Sequence, residues 1–175
     1  MDFQAVYSGL QEFLERGGPV LVVIMFTTFV MWAFMLERFA YFFLAQKGDA
    51  DRAKREWAAR ADKKTWYAHA IRDQLISEVK ASADQNVELI KTLVAVAPLF
   101  GLLGTVTGMV SVFDVMSISG SSDAQAMSAG VSRATIPTMA GMVASLSGLI
   151  LANYIERMAK RRVAVLAGDL EIEEA

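Results

Sequence analysis

The sequence predicts an all-α membrane protein with three transmembrane helices and long helical extensions in the cytoplasm. Hydrophobic residues make up 54% of the 175 residues and are concentrated in three blocks, at 20–36, 93–113 and 134–155. None of these blocks contains Asp, Glu, Lys, Arg or His. A membrane-spanning helix needs roughly 17 to 25 mostly apolar residues, so each block is long enough to cross once. Helices buried in a soluble bundle usually keep one polar face, which these blocks lack.

The distribution of basic residues predicts the orientation. Of the 17 Lys and Arg residues, only Arg16 and Arg133 precede the first block or lie between the second and third. Because basic residues near span ends stay in the cytoplasm, we expect a multi-pass protein of the bacterial inner membrane with a periplasmic N-terminus and a cytoplasmic C-terminus. The predicted segments are a periplasmic start at 1–19, a first transmembrane helix at 20–44, a cytoplasmic helical loop at 45–92, a second transmembrane helix at 93–116, a short periplasmic loop at 117–130, a third transmembrane helix at 131–155 and a cytoplasmic tail at 156–175. Charges are expected at the membrane edges at Glu37, Arg38, Arg133 and Arg157.

The cytoplasmic loop has the composition of a helix. Apolar residues recur at spacings of three and four from Ile71 to Ile90, which predicts an amphipathic helix that runs without a break into the second span. Three aromatic residues, Trp57, Trp66 and Tyr67, have two possible roles: they anchor the loop at the membrane surface or they pack a small core. The sequence leaves both open.

The three apolar blocks offer hydroxyl groups, chiefly those of Thr105, Thr107 and Thr138, but no Asp, Glu, Lys, Arg or His. A threonine can hydrogen-bond a carboxylate or a water but cannot store a proton, so proton conduction would need a titrating group from another chain. The chain has no cysteine, and its single histidine, His69, is expected on a helix surface because no second ligand lies near it. No metal, cofactor, nucleic-acid partner or enzyme active site is predicted, since the spans lack a nucleophile–base pair or a metal-ligand set.

Small residues form one seam along the second span and another along the third, each on one helix face. The seam residues are Ala97, Gly101, Gly104, Gly108 and Ser111 in the second span, and Ala134, Thr138, Gly141, Ser145, Gly148 and Ala152 in the third. In lipid, small residues let helices approach closely and associate. One interpretation is packing of the two spans within one subunit. Further small or hydroxyl positions off the seams, at Thr105, Thr107, Ala140, Ala144 and Ser147, favour contacts between subunits as well.

Three local features complete the prediction for the spans. Helix kinks are expected at Pro98 and Pro137, because proline removes a backbone hydrogen bond. The third helix is expected to begin outside the membrane at a capping box from Ser122 to Gln125. The first span is bulkier and has no seam of small residues, so it is expected to face lipid.

The stretch PLFGLLGTVTG, from Pro98 to Gly108, resembles the signature of the ExbB/TolQ/MotA proton-channel family, and Thr138-x-x-Gly141 resembles its second signature. The short ExbB forms of TonB systems look most similar. The resemblance implies a homopentamer around a central pore lined by the second and third spans. That pore would hold the single transmembrane helices of an ExbD-like partner, whose membrane aspartate carries the proton past Thr105 and Thr138. The work would pass through a TonB-like protein to the import of iron complexes across the outer membrane.

The chain departs from the family pattern in its third span. Arg133 stands where a glutamate is common, which calls into question a role for a carboxylate of this chain in the proton path. Ser147 stands where a proline is usual, and Pro137 is an addition that moves the expected kink towards the periplasm. A TolQ-like role in envelope maintenance and a membrane scaffold without ion flux stay open as alternatives. A MotA-like role is disfavoured because those chains usually have a fourth span.

Overall fold

The structure, a computed structural model, describes residues 3–44, 46–60, 63, 65–119 and 124–170, and their secondary structure consists of helices without strands. The five helices are α1 (Phe3–Leu44), α2 (Gln46–Ala58), α3 (Trp66–Asp84), α4 (Val87–Ser119) and α5 (Ala124–Asp169). Three stretches are long and apolar enough to cross a membrane, namely Gly17–Leu44, Trp66–Ser117 and Gly130–Asp169. The predicted all-α class with three spans is therefore confirmed. The capping box predicted at Ser122 begins outside the described residues.

The chain divides into two compact units. We call residues 1–32 with 91–149 the span unit, and residues 33–90 with 150–175 the loop unit. The span unit contains most of the apolar length of the three membrane helices, whereas the loop unit contains α2, α3 and the polar end of α5. Each unit has its own buried residues and is described separately.

In the span unit, α1 has a break that the sequence analysis did not predict. Gly18 has φ 67° and ψ −168°, so two helical pieces meet at this residue. Glycine adopts a positive φ without steric cost, and Pro19 is suited to the first turn of the second piece because its own φ is already helical. By contrast, α4 and α5 continue through Pro98 and Pro137 as single helices, and the bends expected at these prolines stay predictions.

The first span packs on one side and is open on the other. Leu21, Ile24 and Met31 are buried, while Val22, Phe26 and Phe29 between them are exposed. The expectation that this span faces lipid therefore describes only its exposed side. On the buried side a bulky residue meets a small one, because a Cβ added to Gly148 of α5 would lie 2.6 Å from the Met31 sulfur.

In the loop unit, the helix predicted to run without a break into the second span is interrupted, so that prediction was wrong. α3 ends at Asp84, Gln85 has ψ 137°, Asn86 has φ 60°, and α4 begins at Val87. Asparagine is one of the few residues that enter the left-handed region routinely. The break also has a tertiary partner, since the Asn86 side-chain amide donates to Oε2 of Glu37 at 3.3 Å.

The same unit has a small apolar core, and this core decides whether the loop aromatics are buried or lie on the surface. Trp57 is buried at 4% exposure among Leu75, Val79 and Leu166. Trp66 and Tyr67 are 82% and 63% exposed. Of the three aromatics, Trp57 therefore packs the core and the other two lie on the surface.

Candidate functional site

The seams of α4 and α5 face each other within the chain, with backbone directly against backbone. A Cβ added to Gly101 would lie 2.9 Å from the Thr138 Cα, and one added to Gly141 would lie 2.6 Å from the Ala97 carbonyl oxygen. Both distances are shorter than carbon atoms tolerate, and the obstructing atoms belong to the backbone, which cannot rotate away. Only glycine fits at these two positions, as expected where membrane helices approach through small residues.

Gly104 and Gly108 extend this contact towards the N-terminal end of α5. Gly108 lies against Ala134, whose Cβ would be 2.7 Å from an added Cβ. Gly104 lies against the ring of Pro137, so this proline, predicted as a kink, is also a packing residue of the seam. Ser111 is exposed at the end of the contact. Ser145 is half-buried on α5, and Ala152 is buried within the loop unit.

A hydrogen bond between the helices crosses the seam at Thr138. Its Oγ1 donates to the carbonyl oxygen of Gly101 at 2.8 Å. Thr105, one turn further along α4, donates to Leu102 of its own helix at 2.7 Å. Because each hydroxyl proton is already donated, the threonine oxygens are left to act as acceptors. Such an oxygen can receive a hydrogen bond from a water or a neutral carboxyl group, but it cannot titrate.

A groove of about 530 Å³ opens beside the seam at the Gly18 break. Thr107 and Ser111 of α4 line it, together with Glu15 of α1 and Arg133 of α5. Arg133, predicted as a membrane-edge charge, therefore shares this groove with an acidic residue that the sequence analysis did not single out. The consecutive glycines before Pro19 were the available sequence signal for a corner at this place.

The off-seam small residues of α5 line a second groove, of about 730 Å³, within the span unit. Ala140, Ala144 and Ser147 contribute from α5, and Phe29 and Trp32 contribute from α1. This groove is almost wholly apolar. These small positions were expected to contact other subunits.

The charges predicted at the end of the first span form a connected network in the loop unit. Arg38 is only 2% exposed, although a membrane-edge position suggested contact with water. Its Nε donates to Glu37 Oε2 at 2.8 Å, its Nη1 donates to the Ser82 carbonyl oxygen at 3.0 Å, and its guanidinium lies 4.9 Å from the Tyr41 ring centre. Ser82 lies in the last turn of α3, where carbonyl groups lack helical partners, so Arg38 caps that helix.

No group of three or more His, Cys, Asp or Glu residues within the described ranges is arranged to hold a metal ion. His69 lies on the exposed surface of α3.

Comparison with known proteins gives a family match. A family model described as the MotA/TolQ/ExbB proton channel family matches residues 44–167. Biopolymer transport protein ExbB-like 1 of Synechocystis sp. is 33% identical over 91 residues, covering 49% of this chain and 36% of that protein, and ExbB-like 3 of the same organism is 33% identical over 89 residues, covering 48% and 42%. Biopolymer transport protein ExbB of Helicobacter pylori is 32% identical over 82 residues, covering 47% and 57%.

The aligned segment spans between 36% and 57% of the length of these relatives. The family model, in contrast, covers more than half of this chain and includes both opposed seams of α4 and α5. The family is one of membrane proton channels rather than enzymes. The chain belongs to the MotA/TolQ/ExbB proton channel family.

Proposed function

We propose that this chain is an ExbB-like stator subunit which, with a single-span ExbD-like partner, uses the proton-motive force to energise a TonB-like protein for import across the outer membrane. The observation that carries the proposal is that a member of a proton-channel family has no Asp, Glu, His, Lys or Arg in its three apolar blocks. A proton cannot cross the hydrocarbon core without a group to hold it, and intramembrane carboxylates usually have that role. The carboxylate therefore comes from a second chain.

The hydrogen bonds of the two threonines support a carboxylate that is supplied by the partner. With their protons donated to Gly101 and Leu102, Thr138 and Thr105 present acceptor oxygens. A neutral partner carboxyl would donate to such an oxygen, whereas an ionised one would lose that hydrogen bond and turn to water. Protonation of the partner would thus change its contact with this chain. Each charge that crosses 100 mV releases about 2.3 kcal/mol, which is the work available for the change.

Self-association is the second part of the proposal. The apolar groove lined by Ala140, Ala144 and Ser147 is a surface on which a neighbouring helix can pack closely. The family resemblance supports a pentamer around a central pore that the second and third spans line. The positive-inside pattern supports a periplasmic N-terminus and a cytoplasmic C-terminus.

The first experiment tests assembly. The chain is purified in mild detergent, alone and co-expressed with a single-span protein that has a membrane aspartate, and both samples are weighed by native mass spectrometry. We expect a pentamer that gains partner chains. A monomer that does not bind the partner would contradict the stator proposal and favour a membrane scaffold without ion flux.

The second experiment tests the threonines by proton flux into liposomes that contain the assembled complex. We expect Thr138→Val to lower the flux at least tenfold and Thr138→Ser, which keeps the hydroxyl, to restore most of it. Thr135→Val is the matched control, because Thr135 is exposed and donates only to Ser132 of its own helix. Equal flux in all variants would favour the scaffold. Flux without any effect of a TonB-like protein would favour a TolQ-like role in envelope maintenance.

A further inference from the structure

Four basic residues follow the apolar stretch of α5, and two of them are already engaged. The Lys160 amine lies 2.8 Å from Oε1 of Glu156, and Arg162 Nη1 donates to the Phe42 carbonyl oxygen at 3.3 Å. Arg157 and Arg161 differ from these two. Both are exposed, and the part of the chain that the structure describes provides neither an ion pair nor a hydrogen bond to either.

Arg157 and Arg161 are four positions apart, so they project from the same face of α5. Like charges at this spacing repel each other and weaken an isolated helix. No acidic residue occupies a position three or four away from either arginine on α5 to offset the repulsion. The pair therefore places two positive charges on one face of α5, and Arg161 also lines a groove that contains Asp51 and Asp169.

An aromatic pair lies one helical turn before this charge. Tyr154, one turn before Arg157, is 58% exposed, and its ring stacks on Phe39 of α1 with centroids 6.1 Å apart. Phe43, one turn beyond Phe39 on the same face of α1, is 70% exposed. The five residues Phe39, Phe43, Tyr154, Arg157 and Arg161 form a surface within the loop unit that we call the edge patch.

We propose that the edge patch binds an anionic phospholipid in the leaflet at the C-terminal end of the third span. The two guanidinium groups supply paired donors that match a phosphate in geometry and charge. The aromatic rings supply the amphipathic surface that sits at the level of lipid headgroups. Ile155 ends the third apolar block, so the patch lies where hydrocarbon gives way to water. A free phosphate would satisfy the arginines but would leave the rings uncovered, whereas a phospholipid covers both.

The proposal is independent of proton conduction and is tested with the full chain. Wild type is reconstituted into bilayers of equimolar phosphatidylglycerol and phosphatidylcholine, extracted in mild detergent, and its retained lipids are weighed by native mass spectrometry. We expect preferential retention of phosphatidylglycerol. Arg157→Gln should reduce that preference roughly fivefold and Arg157→Gln with Arg161→Gln roughly 30-fold, since each basic residue near an anionic surface contributes about 1 kcal/mol.

Lys160→Gln is the matched control, because it removes one charge from the same helix but from a residue already paired with Glu156. We expect its lipid preference to equal that of wild type. A second measurement needs no variant: the preference of wild type should fall as ionic strength rises, because the arginines are exposed and their attraction is screened.

Three results would each overturn the proposal. The double variant could retain as much phosphatidylglycerol as wild type, or Lys160→Gln could lose as much as Arg157→Gln. Wild type could also fail to distinguish the two lipids at any salt concentration. The third result would instead point to an acidic protein segment as the occupant of the patch.

Discussion

The ion pair near the C-terminal end of α1 yields a prediction that runs against the usual expectation for buried residues. Arg38 is 2% exposed and Glu37 is 47% exposed, yet we expect the loss of Glu37 to be more harmful than the loss of Arg38. The two variants differ in which charged residue remains without its partner. Glu37→Gln keeps a charged guanidinium buried without a countercharge. Arg38→Met removes the buried charge and leaves a carboxylate that water can reach.

The magnitudes follow from these two situations. Leaving a buried charge without its partner costs roughly 3–5 kcal/mol. Because Glu37 is half-exposed and the glutamine introduced by Glu37→Gln would still accept one hydrogen bond, we expect about 3 kcal/mol for this variant, at the lower end of that range. Arg38→Met loses a charge-assisted hydrogen bond to the Ser82 carbonyl, which costs about 1.5–3 kcal/mol, partly offset because methionine fills the space. We expect a cost of about 2 kcal/mol for Arg38→Met, towards the lower end of that range. In the double variant the two costs should not add, since the residues share one interaction.

The assay is unfolding in mixed micelles, with the denaturing detergent increased stepwise and helix content followed by circular dichroism. Lys54→Met is the control, because the Lys54 amine lies 2.7 Å from Asp169 in an exposed ion pair and its loss should leave the midpoint unchanged. The hydrogen bond to the Asp169 carboxylate raises the pKa of Lys54. A larger effect for Arg38→Met than for Glu37→Gln, or additive costs in the double variant, would refute the reasoning.

Three further predictions use the same assay. Gly141→Ala should disrupt the α4–α5 contact, because its Cβ would meet a backbone oxygen at 2.6 Å. Gly168→Ala is the control: it has open space and should stabilise the protein by up to about 1 kcal/mol. Equal effects of the two variants would contradict the seam contact. Asn86→Gly should be tolerated and Asn86→Val should cost at least about 1–2 kcal/mol, because φ is 60° there; the reverse order would argue against the break. Trp57→Ala should cost about 3–5 kcal/mol and Trp66→Ala almost nothing, and similar costs would contradict the burial difference.

Features encoded by local pattern could be predicted from the sequence. The spans follow from unbroken apolar length, and the seam glycines follow from a spacing of three and four that any α-helix imposes. The opposition of Gly101 to Thr138 was one of two interpretations, packing within a subunit or between subunits. The contact within the chain does not remove the second, because Ala140, Ala144 and Ser147 line a separate groove.

Features that depend on distant partners could not be predicted. The break at Asn86 has a weak local signal, and the Asn86 side chain is held by Glu37, 49 positions earlier. The burial of Arg38 depends in the same way on the Ser82 carbonyl, 44 positions later. A hydrophobicity pattern does not show that a charged residue expected at the surface is instead buried against the end of a distant helix. The corner at Gly18 is different, because the two glycines before Pro19 were a local signal for it.

The glycine contacts between α4 and α5 have a mechanical consequence. Packed helices usually slide past each other when side chains between them change rotamer, and each small shift is absorbed by that layer. At Gly101 and Gly141 no such layer exists, because backbone touches backbone. Sliding would bring backbone atoms of the two helices into steric conflict. We therefore expect α4 and α5 to move together at this contact, so that a load applied to one helix there is transmitted to the other.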